Sequence, residues 1–279
     1  METQIINCTK IKDDILAKIK EDVLSLPFSP VFCDILVGDD LVSASYVRIK
    51  ARTAESVGIK FKAAHFPSSI TTEELIEKIK DLNNVPNMCG IIVQLPLPSH
   101  INRDGVLDAI RPDLDVDCLG KDGSLAFYNN SGVLKYPTAL ACIEVINSLN
   151  FDLENKKIVI LGQGKLVGRP VAHLLKMYNL DVQTITRDTE NQDEILKNAD
   201  IIVSAIGQGK FITGDKVKKG VVIIDAGTSE EDGGVVGDLY VDSVSGIASY
   251  VTSTPGGVGP VTVAMLLKNV LTVSEQKQK

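Results

Sequence analysis

Short apolar runs that read as strands alternate with helical stretches almost from end to end. That alternation restricts the chain to βα units and largely parallel sheets. In the first half, CDILV (33–37), KFKAAHF (60–66) and GIIVQ (90–94) read as strands, with helices expected over 43–57 and 71–82. Ser43 is placed to cap the first helix and Gly58 to end it in a left-handed conformation. TTEELIEKIKDL begins the second with threonine followed by acidic residues, a helix start. In the second half, KIVIL (157–161), DVQTIT (181–186), DIIVSAI (200–206) and VVIID (221–225) alternate with helices as in a doubly wound sheet. A helix is expected over 138–149, and the chain closes with GGVGPVTVAMLLKNVL, a glycine loop entering an apolar helix. Residues 112–137, punctuated by Asp, Gly, Asn and Pro, read as a loop-rich junction. At 279 residues, two α/β domains are expected.

Composition narrows the class of partner. With 44% apolar and 23% charged residues the chain can bury a sizeable core without a staple. A net charge of −7, spread along the sequence, offers no basic stripe for nucleic acid and no polybasic membrane patch. METQIINCTKIKDD carries charges where a signal peptide is apolar, and the apolar runs are too short to span a bilayer. A soluble, cytoplasmic protein is expected, with no nucleic-acid or membrane partner. The five cysteines (Cys8, Cys33, Cys89, Cys118, Cys142) form no CxxC pair, and the three histidines are scattered. Reduced thiols and no metal site are expected.

KIVILGQGKLVGRP sets a buried-strand pattern directly before Gly162, Gly164 and Gly168. Glycine lets the backbone approach phosphates, and free N–H groups at the following helix start attract negative charge. The spacing is G-x-G-x-x-x-G, one residue longer than the usual dinucleotide fingerprint; a tight βα turn that binds nothing is the plain alternative. The next strand ends at Thr186-Arg187-Asp188, the position that faces an adenosine ribose in such folds. An Asp there favours a free 2′-hydroxyl and an Arg a 2′-phosphate. Arg187, with its planar fork, tilts the expectation to NADP, with NAD as the alternative.

Three further segments carry side chains suited to chemistry. Tyr46 and Lys50 lie one helical turn apart, beside a face of Val47, Ala51 and Ala54 that can pack on a sheet. Gln94 finishes the strand GIIVQ just before LPLP, and strand carboxyl ends are where α/β sheets collect ligand-binding groups. RPDLDVDCL places Asp113, Asp115 and Asp117 in one loop, without the glycine and distal Glu of a calcium loop. Taken singly, each has an ordinary explanation: a solvated lysine beside a rim aromatic, a strand-end cap, a solvated acidic turn.

In order along the chain, VGDDLVSASYVRIKARTAESVGI, GIIVQLPLP, PDLDVD, LVGRP and TSTPGGVGPVTVAML resemble the bifunctional methylenetetrahydrofolate dehydrogenase/methenyltetrahydrofolate cyclohydrolase family. The resemblance spans roughly 37–271. It implies oxidation of 5,10-methylenetetrahydrofolate with NAD(P)+ and hydrolysis of the methenyl product to 10-formyltetrahydrofolate. Lys50 matches the family's catalytic lysine, Gln94 the residue that orients it, Tyr46 the ring that stacks on the aminobenzoyl group, and Asp117 the carboxylate that binds the pterin. Asp115 is the nearest alternative to Asp117, with loop shaping as its expected role. Gly162, Gln163 and Gly164, with Arg187 and Thr228, match the cofactor positions, and Pro255, Gly256 and Gly257 begin a loop expected to line the substrate cleft. The implied domains are 1–137 plus 256–279 for folate and catalysis, and 138–255 as a Rossmann-like NAD(P)-binding domain with a mostly parallel sheet. A homodimer is implied as well.

Departures from the family pattern cluster away from those four catalytic positions. The family's Lys-Asp-Val-Asp-Gly is Leu114 to Cys118 here, a His-Pro-x-Asn stretch is replaced by GKDGS, and Thr-Pro-Val-Pro is Thr252 to Pro255. Two other readings stand beside this one: a related two-domain dehydrogenase acting on a small acid such as a shikimate-type substrate, and, motivated by the altered loops, a catalytically silent folate- or nucleotide-binding relative.

Overall fold

The structure, a computed structural model, describes residues 2–231 and 233–278. It divides into two compact units: one holds the chain up to Asp13 together with Thr138–Thr262, the other Asp14–Pro137 together with the chain from Val263 onward. The first thirteen residues, expected with the folate-binding half, therefore fall in the other unit, and the later crossing comes at 262/263 instead of 255/256.

In chain order, β1 (Gln4–Ile5) and α1 (Cys8–Leu24) precede a three-stranded parallel sheet built from β2 (Val31–Val37), β3 (Lys60–Phe66) and β4 (Met88–Val93). Its order is β3-β2-β4, so the chain moves to one side of β2 and then the other. Ligand crevices open at such reversals, outside the carboxyl ends of the strands. The crossovers are α2 (Leu41–Ser56) and α3 (Thr72–Asn83). The cap of α2 is Asp40, not Ser43: the Asp40 carboxylate accepts a bond from the Ser43 backbone N–H at 2.7 Å. Both residue types cap well, and the helix extends to whichever acceptor comes first. Gly58, at φ +85°, ends it as expected. A full capping box of Thr71 and Glu74 starts α3.

Two short helices follow, α4 (Arg103–Asp108) and α5 (Lys121–Tyr128). The second lies inside the stretch expected to be loop. Its anchor is Phe127, buried edge-on against Tyr136 at 4.9 Å between ring centres, an arrangement no local pattern announces.

The chain continues through α6 (Pro137–Asn147), β5 (Ile158–Leu161), α7 (Gly168–Met177), β6 (Val182–Ile185), α8 (Gln192–Asn198), β7 (Ile201–Ser204) and β8 (Val222–Asp225). An exposed hairpin, β9 (Ser229–Glu231) with β10 (Gly234–Val236), precedes α9 (Val241–Val244), β11 (Tyr250–Val251) and α10 (Val258–Gln276). The six-stranded sheet is parallel throughout, in the order β1-β11-β8-β7-β5-β6. Pairing of Gln4 and Ile5 with Tyr250 and Val251 is what draws the N-terminus into this sheet. β5, β7 and β8 are buried at every position, the signature of parallel strands covered on both faces. No helix among the described residues is long and apolar enough to cross a membrane.

Candidate active site

The site in the smaller sheet follows from strand periodicity. Asp34 of β2 pairs in register with Ile92 of β4, so both point to one face, and the bond from Gln94 N–H to the Ile35 carbonyl carries Gln94 onto that face two residues later. The helix leaving β2 supplies the third group. Its buried row is Ser43, Val47, Lys50 and Ala54, spaced four, three and four. Lys50 thus belongs to the core-facing row with only 8% of its surface exposed, whereas Tyr46, a turn earlier, is 46% exposed. A solvated lysine, the ordinary explanation for such a pair, does not describe it.

At the end of that buried stem, Lys50 Nζ donates to Gln94 Oε1 at 2.7 Å and lies 2.7 Å from Asp34 Oδ2. Gln94 turns its amide nitrogen to the Leu95 carbonyl at 3.1 Å, which leaves the oxygen facing the lysine. Asp34 is fully buried, and neither of its oxygens receives a well-angled hydrogen bond from the backbone or from any other side chain, so its close partner is the Lys50 ammonium. Burial drives the Asp34 carboxyl above its ordinary value, and the Lys50 charge opposes that rise.

Asp117 completes the electrostatic group. Burial raises its carboxyl to about 7; Lys50 pulls the value down, while Asp115 and Asp34 push it further up. It titrates near neutrality, where uptake or loss of a proton is cheap. Its loop is held from two sides. The Ile91 N–H donates to the Leu114 carbonyl at 2.8 Å, and the Asn269 side chain of α10 donates to the carbonyls of Val116 at 2.8 Å and Lys135 at 2.7 Å. A side chain at Gly90 would run into Val270 and Val116 at 2.8 and 3.0 Å, so glycine there is what allows α10 to lie close. Asp115 has the loop-shaping role expected of it: its Oδ2 accepts the Gly120 N–H at 2.8 Å, and burial lifts its carboxyl to about 6 against the pull of backbone N–H groups. Asp113 instead forms a surface fork with Arg111. Cys118 sits at φ +58°, a left-handed backbone that glycine adopts freely.

The second cluster lies in the six-stranded sheet. Gly162, at φ +97°, has its α-carbon so close to the Ala205 carbonyl that a side chain would meet it at 2.7 Å. Gly168 packs on the Gly162 carbonyl, where a side chain would come within 2.0 Å, while space around Gly164 is open. Val167 precedes α7 and caps it with no side chain; the Arg169 N–H turns back to the Gly164 carbonyl at 3.2 Å and Pro170 carries no N–H, so the Gly168 N–H is the one first-turn donor facing outward from the glycine turn. An open glycine turn leading from a buried parallel strand into a helix start fits a pyrophosphate. Gln163 folds back on the Gly162 carbonyl at 2.9 Å. Arg187 and Thr228 are exposed beyond the carboxyl ends of β6 and β8. The Thr228 carbonyl lies 3.3 Å from where a side chain on Gly207, in the loop after β7, would stand. Pro255 and Gly256 are exposed and Gly257 is buried, all three in this same unit.

Sequence reasoning overlooked Asp34, Asn269 and a pair of buried carboxylates, Asp225 and Asp238. Asp238 accepts from the Ser204 hydroxyl at 2.6 Å and from the Ile206 and Gln208 N–H groups at 2.9 and 2.7 Å, which shapes the loop after β7. Asp34 carried a usable signal, since a charge inside an otherwise apolar strand demands a partner.

Two family models cover most of the chain: tetrahydrofolate dehydrogenase/cyclohydrolase catalytic domain over residues 6–117, and tetrahydrofolate dehydrogenase/cyclohydrolase NAD(P)-binding domain over residues 136–278. The chain belongs to the tetrahydrofolate dehydrogenase/cyclohydrolase family. A relative from Macrococcus caseolyticus, the bifunctional protein FolD, is 37% identical with full coverage of both chains. The structure of the bifunctional enzyme FolD from Campylobacter jejuni matches with a TM-score of 0.93 at 33% identity, covering 99% of each chain. The Trypanosoma brucei dehydrogenase-cyclohydrolase, solved with NADP and an inhibitor, gives 0.93 at 32%, covering 100% of this chain and 99% of that one. The family's NAD(P)-binding model runs through α10, whose later half, from Val263, here shares a unit with β4 and the Asp117 loop and packs on them through Val270 and Asn269.

Proposed function

We propose that this chain oxidises 5,10-methylenetetrahydrofolate to the methenyl form with NADP+ and hydrolyses that product to 10-formyltetrahydrofolate. The observation that carries the reading is the hydrogen bond from the buried Lys50 to Gln94 within the family's catalytic domain. Hydrolysis adds water to the cationic methenyl carbon with release of one proton; the bond from that carbon to N5 then breaks as the remaining hydroxyl proton leaves, the formyl C=O forms, and N5 takes up a proton. Lys50, an amine on a buried stem, is the group suited to move those protons, and Gln94 fixes its direction. Asp117 binds the pterin: a carboxylate accepts in parallel from an amino group and the adjacent ring N–H. The half-exposed ring of Tyr46 offers a stacking face to the aminobenzoyl group.

The unit containing the glycine turn holds the cofactor, through Gly162, Gln163 and Gly164 for the pyrophosphate, Thr228 as a further contact, and Arg187 for a 2′-phosphate. When bound, the nicotinamide accepts the hydride leaving the methylene carbon. Folate binding and proton transfer belong to the other unit. NAD is the competing cofactor, because Asp188 adjoins Arg187. A cytoplasmic homodimer completes the reading, and sedimentation analysis tests the dimer.

Two assays test the function. NADP+ reduction should require methylenetetrahydrofolate and exceed NAD+ reduction, and methenyltetrahydrofolate should be hydrolysed without any nicotinamide. Absence of both activities rejects the reading; tight folate binding with no turnover identifies a silent relative.

A further inference from the structure

We propose that Asp34 is a positioning residue for hydrolysis, the buried anion that draws the Lys50 ammonium down onto the sheet beside Gln94. The inference rests on the proposed function and adds to it a residue that the resemblance did not supply. Asp34 has no structural work that would explain its cost. It lies in the centre of a parallel strand with zero exposure, between Cys33 and Ile35, both fully buried, where an apolar side chain would be the stable choice. Its Oδ1 receives no hydrogen bond from any described residue, and its Oδ2 has only the 2.7 Å contact to Lys50. A carboxylate that merely held the fold together would be bonded to backbone N–H groups, as Asp115 and Asp238 are.

What Asp34 does instead is set where the charge of Lys50 sits. A four-carbon stem leaving α2 has several staggered ways to point. Gln94 contributes one neutral acceptor, which by itself is a weak restraint on an ammonium. An anion below the ammonium, in surroundings that exclude water, strengthens the attraction and selects the buried rotamer. The groups of ionic or titrating character facing Lys50 are Asp34 from β2 and Asp117 from the loop after β4, with Asp115 behind Asp117. Asp117 is committed to the pterin under the proposed function, so Asp34 is the anion left to hold the lysine when substrate is bound.

The test uses the full chain with Asp34→Asn, which keeps the shape and removes the charge. Methenyltetrahydrofolate hydrolysis is followed across pH, with methylenetetrahydrofolate oxidation measured in parallel. Hydrolytic kcat should fall at least about tenfold with KM within about threefold, and the hydrolysis-to-oxidation ratio should fall with it. The ionisation controlling hydrolysis should move to lower pH, because the deleted anion no longer favours the ammonium. Asp34→Glu, which restores the charge one methylene away, should recover part of the lost kcat and serves in place of the Asn variant if that one fails to fold. A hydrolytic profile and kcat superimposable on the parent overturn the proposal while leaving the proposed function standing. A readout independent of turnover decides the matter even if the parent is inactive. The 15N resonance of the Lys50 ammonium, assigned by its loss in Lys50→Met, should exchange slowly with solvent in the parent and rapidly in Asp34→Asn. Rapid exchange in the parent rejects the proposal.

Discussion

Both parallel sheets carry buried carboxylates, and the two sheets treat them differently. In the six-stranded sheet, Asp238 takes three hydrogen bonds and Asp225 takes the Gly227 and Leu239 N–H groups at 3.0 Å each. Glycines at 227 and 237 make room, since a side chain there would collide with the carboxylates at about 2 Å. In the three-stranded sheet, Asp34 has no hydrogen bond of good geometry and faces an ammonium instead. Titration does not separate the two settings: burial raises Asp225 to about 6, against its N–H partners and with Asp238 adding to the rise, and burial raises Asp117 to about 7. Hydrogen-bond satisfaction does separate them. A buried anion saturated by backbone N–H groups shapes a turn, whereas one left open toward a cation supplies field to a reacting group.

The strongest way to break this contrast is Lys50→Met. Hydrolysis of methenyltetrahydrofolate should fall by roughly 10²–10⁴-fold, the usual worth of a positioned acid or base, while the circular dichroism stays that of the parent. An undiminished rate would leave the open carboxylates without a purpose. Next in size is Asp238→Ala, which strands a hydroxyl and two N–H groups; denaturant titration should show a loss of about 3–5 kcal/mol. A loss under about 1 kcal/mol would erase the distinction between saturated and open sites.

Smaller effects sharpen the same contrast through pH. If Asp117 binds the pterin as an anion, the affinity for a folate analogue should weaken up to about tenfold per unit as pH falls below about 7. Calorimetry showing constant affinity from pH 8 to 5.5 would remove Asp117 from the pterin site. Stability of the ligand-free chain should move the other way. Asp117, Asp115 and Asp225 have folded values of about 7, 6 and 6 against an ordinary 3.8, all raised first by burial. For a raised carboxyl the stabilisation is complete below the unfolded value and is lost as pH climbs through the folded one, so it disappears between about pH 4 and 7. Tm should therefore rise by roughly 5 °C from pH 8 to 5.5. The opposite case, Asp113 held below its ordinary value by the hydrogen-bonded Arg111 guanidinium, weakens the fold only in stronger acid.

Much of this architecture was legible in local patterns, because strand and helix periods report directly on which side chains are buried. The seven strands read from apolar runs all formed, and the capping box at Thr71 acted as its residues foretold. What escaped was set by distant partners. α1 carries Ile11, Ile15, Ile19 and Val23 four apart, a helical stripe passed over because charges interrupt it. The two-residue strands β1 and β11 exist only by pairing with each other and with β8. In the site, Lys50 and Gln94 came from motif order, yet the buried partner of Lys50, Asp34, looked like one more strand residue. Asn269 clamps the Asp117 loop from 153 positions away in sequence.

The central claim is that one chain carries its substrate through both steps, and a single progress curve tests it most directly. Methylenetetrahydrofolate and NADP+ are mixed with the purified protein, and NADPH, the methenyl form and 10-formyltetrahydrofolate are recorded together. The account predicts that NADPH and the formyl product rise while the methenyl form stays below them. No NADPH, or methenyl product accumulating one for one with NADPH, would contradict it.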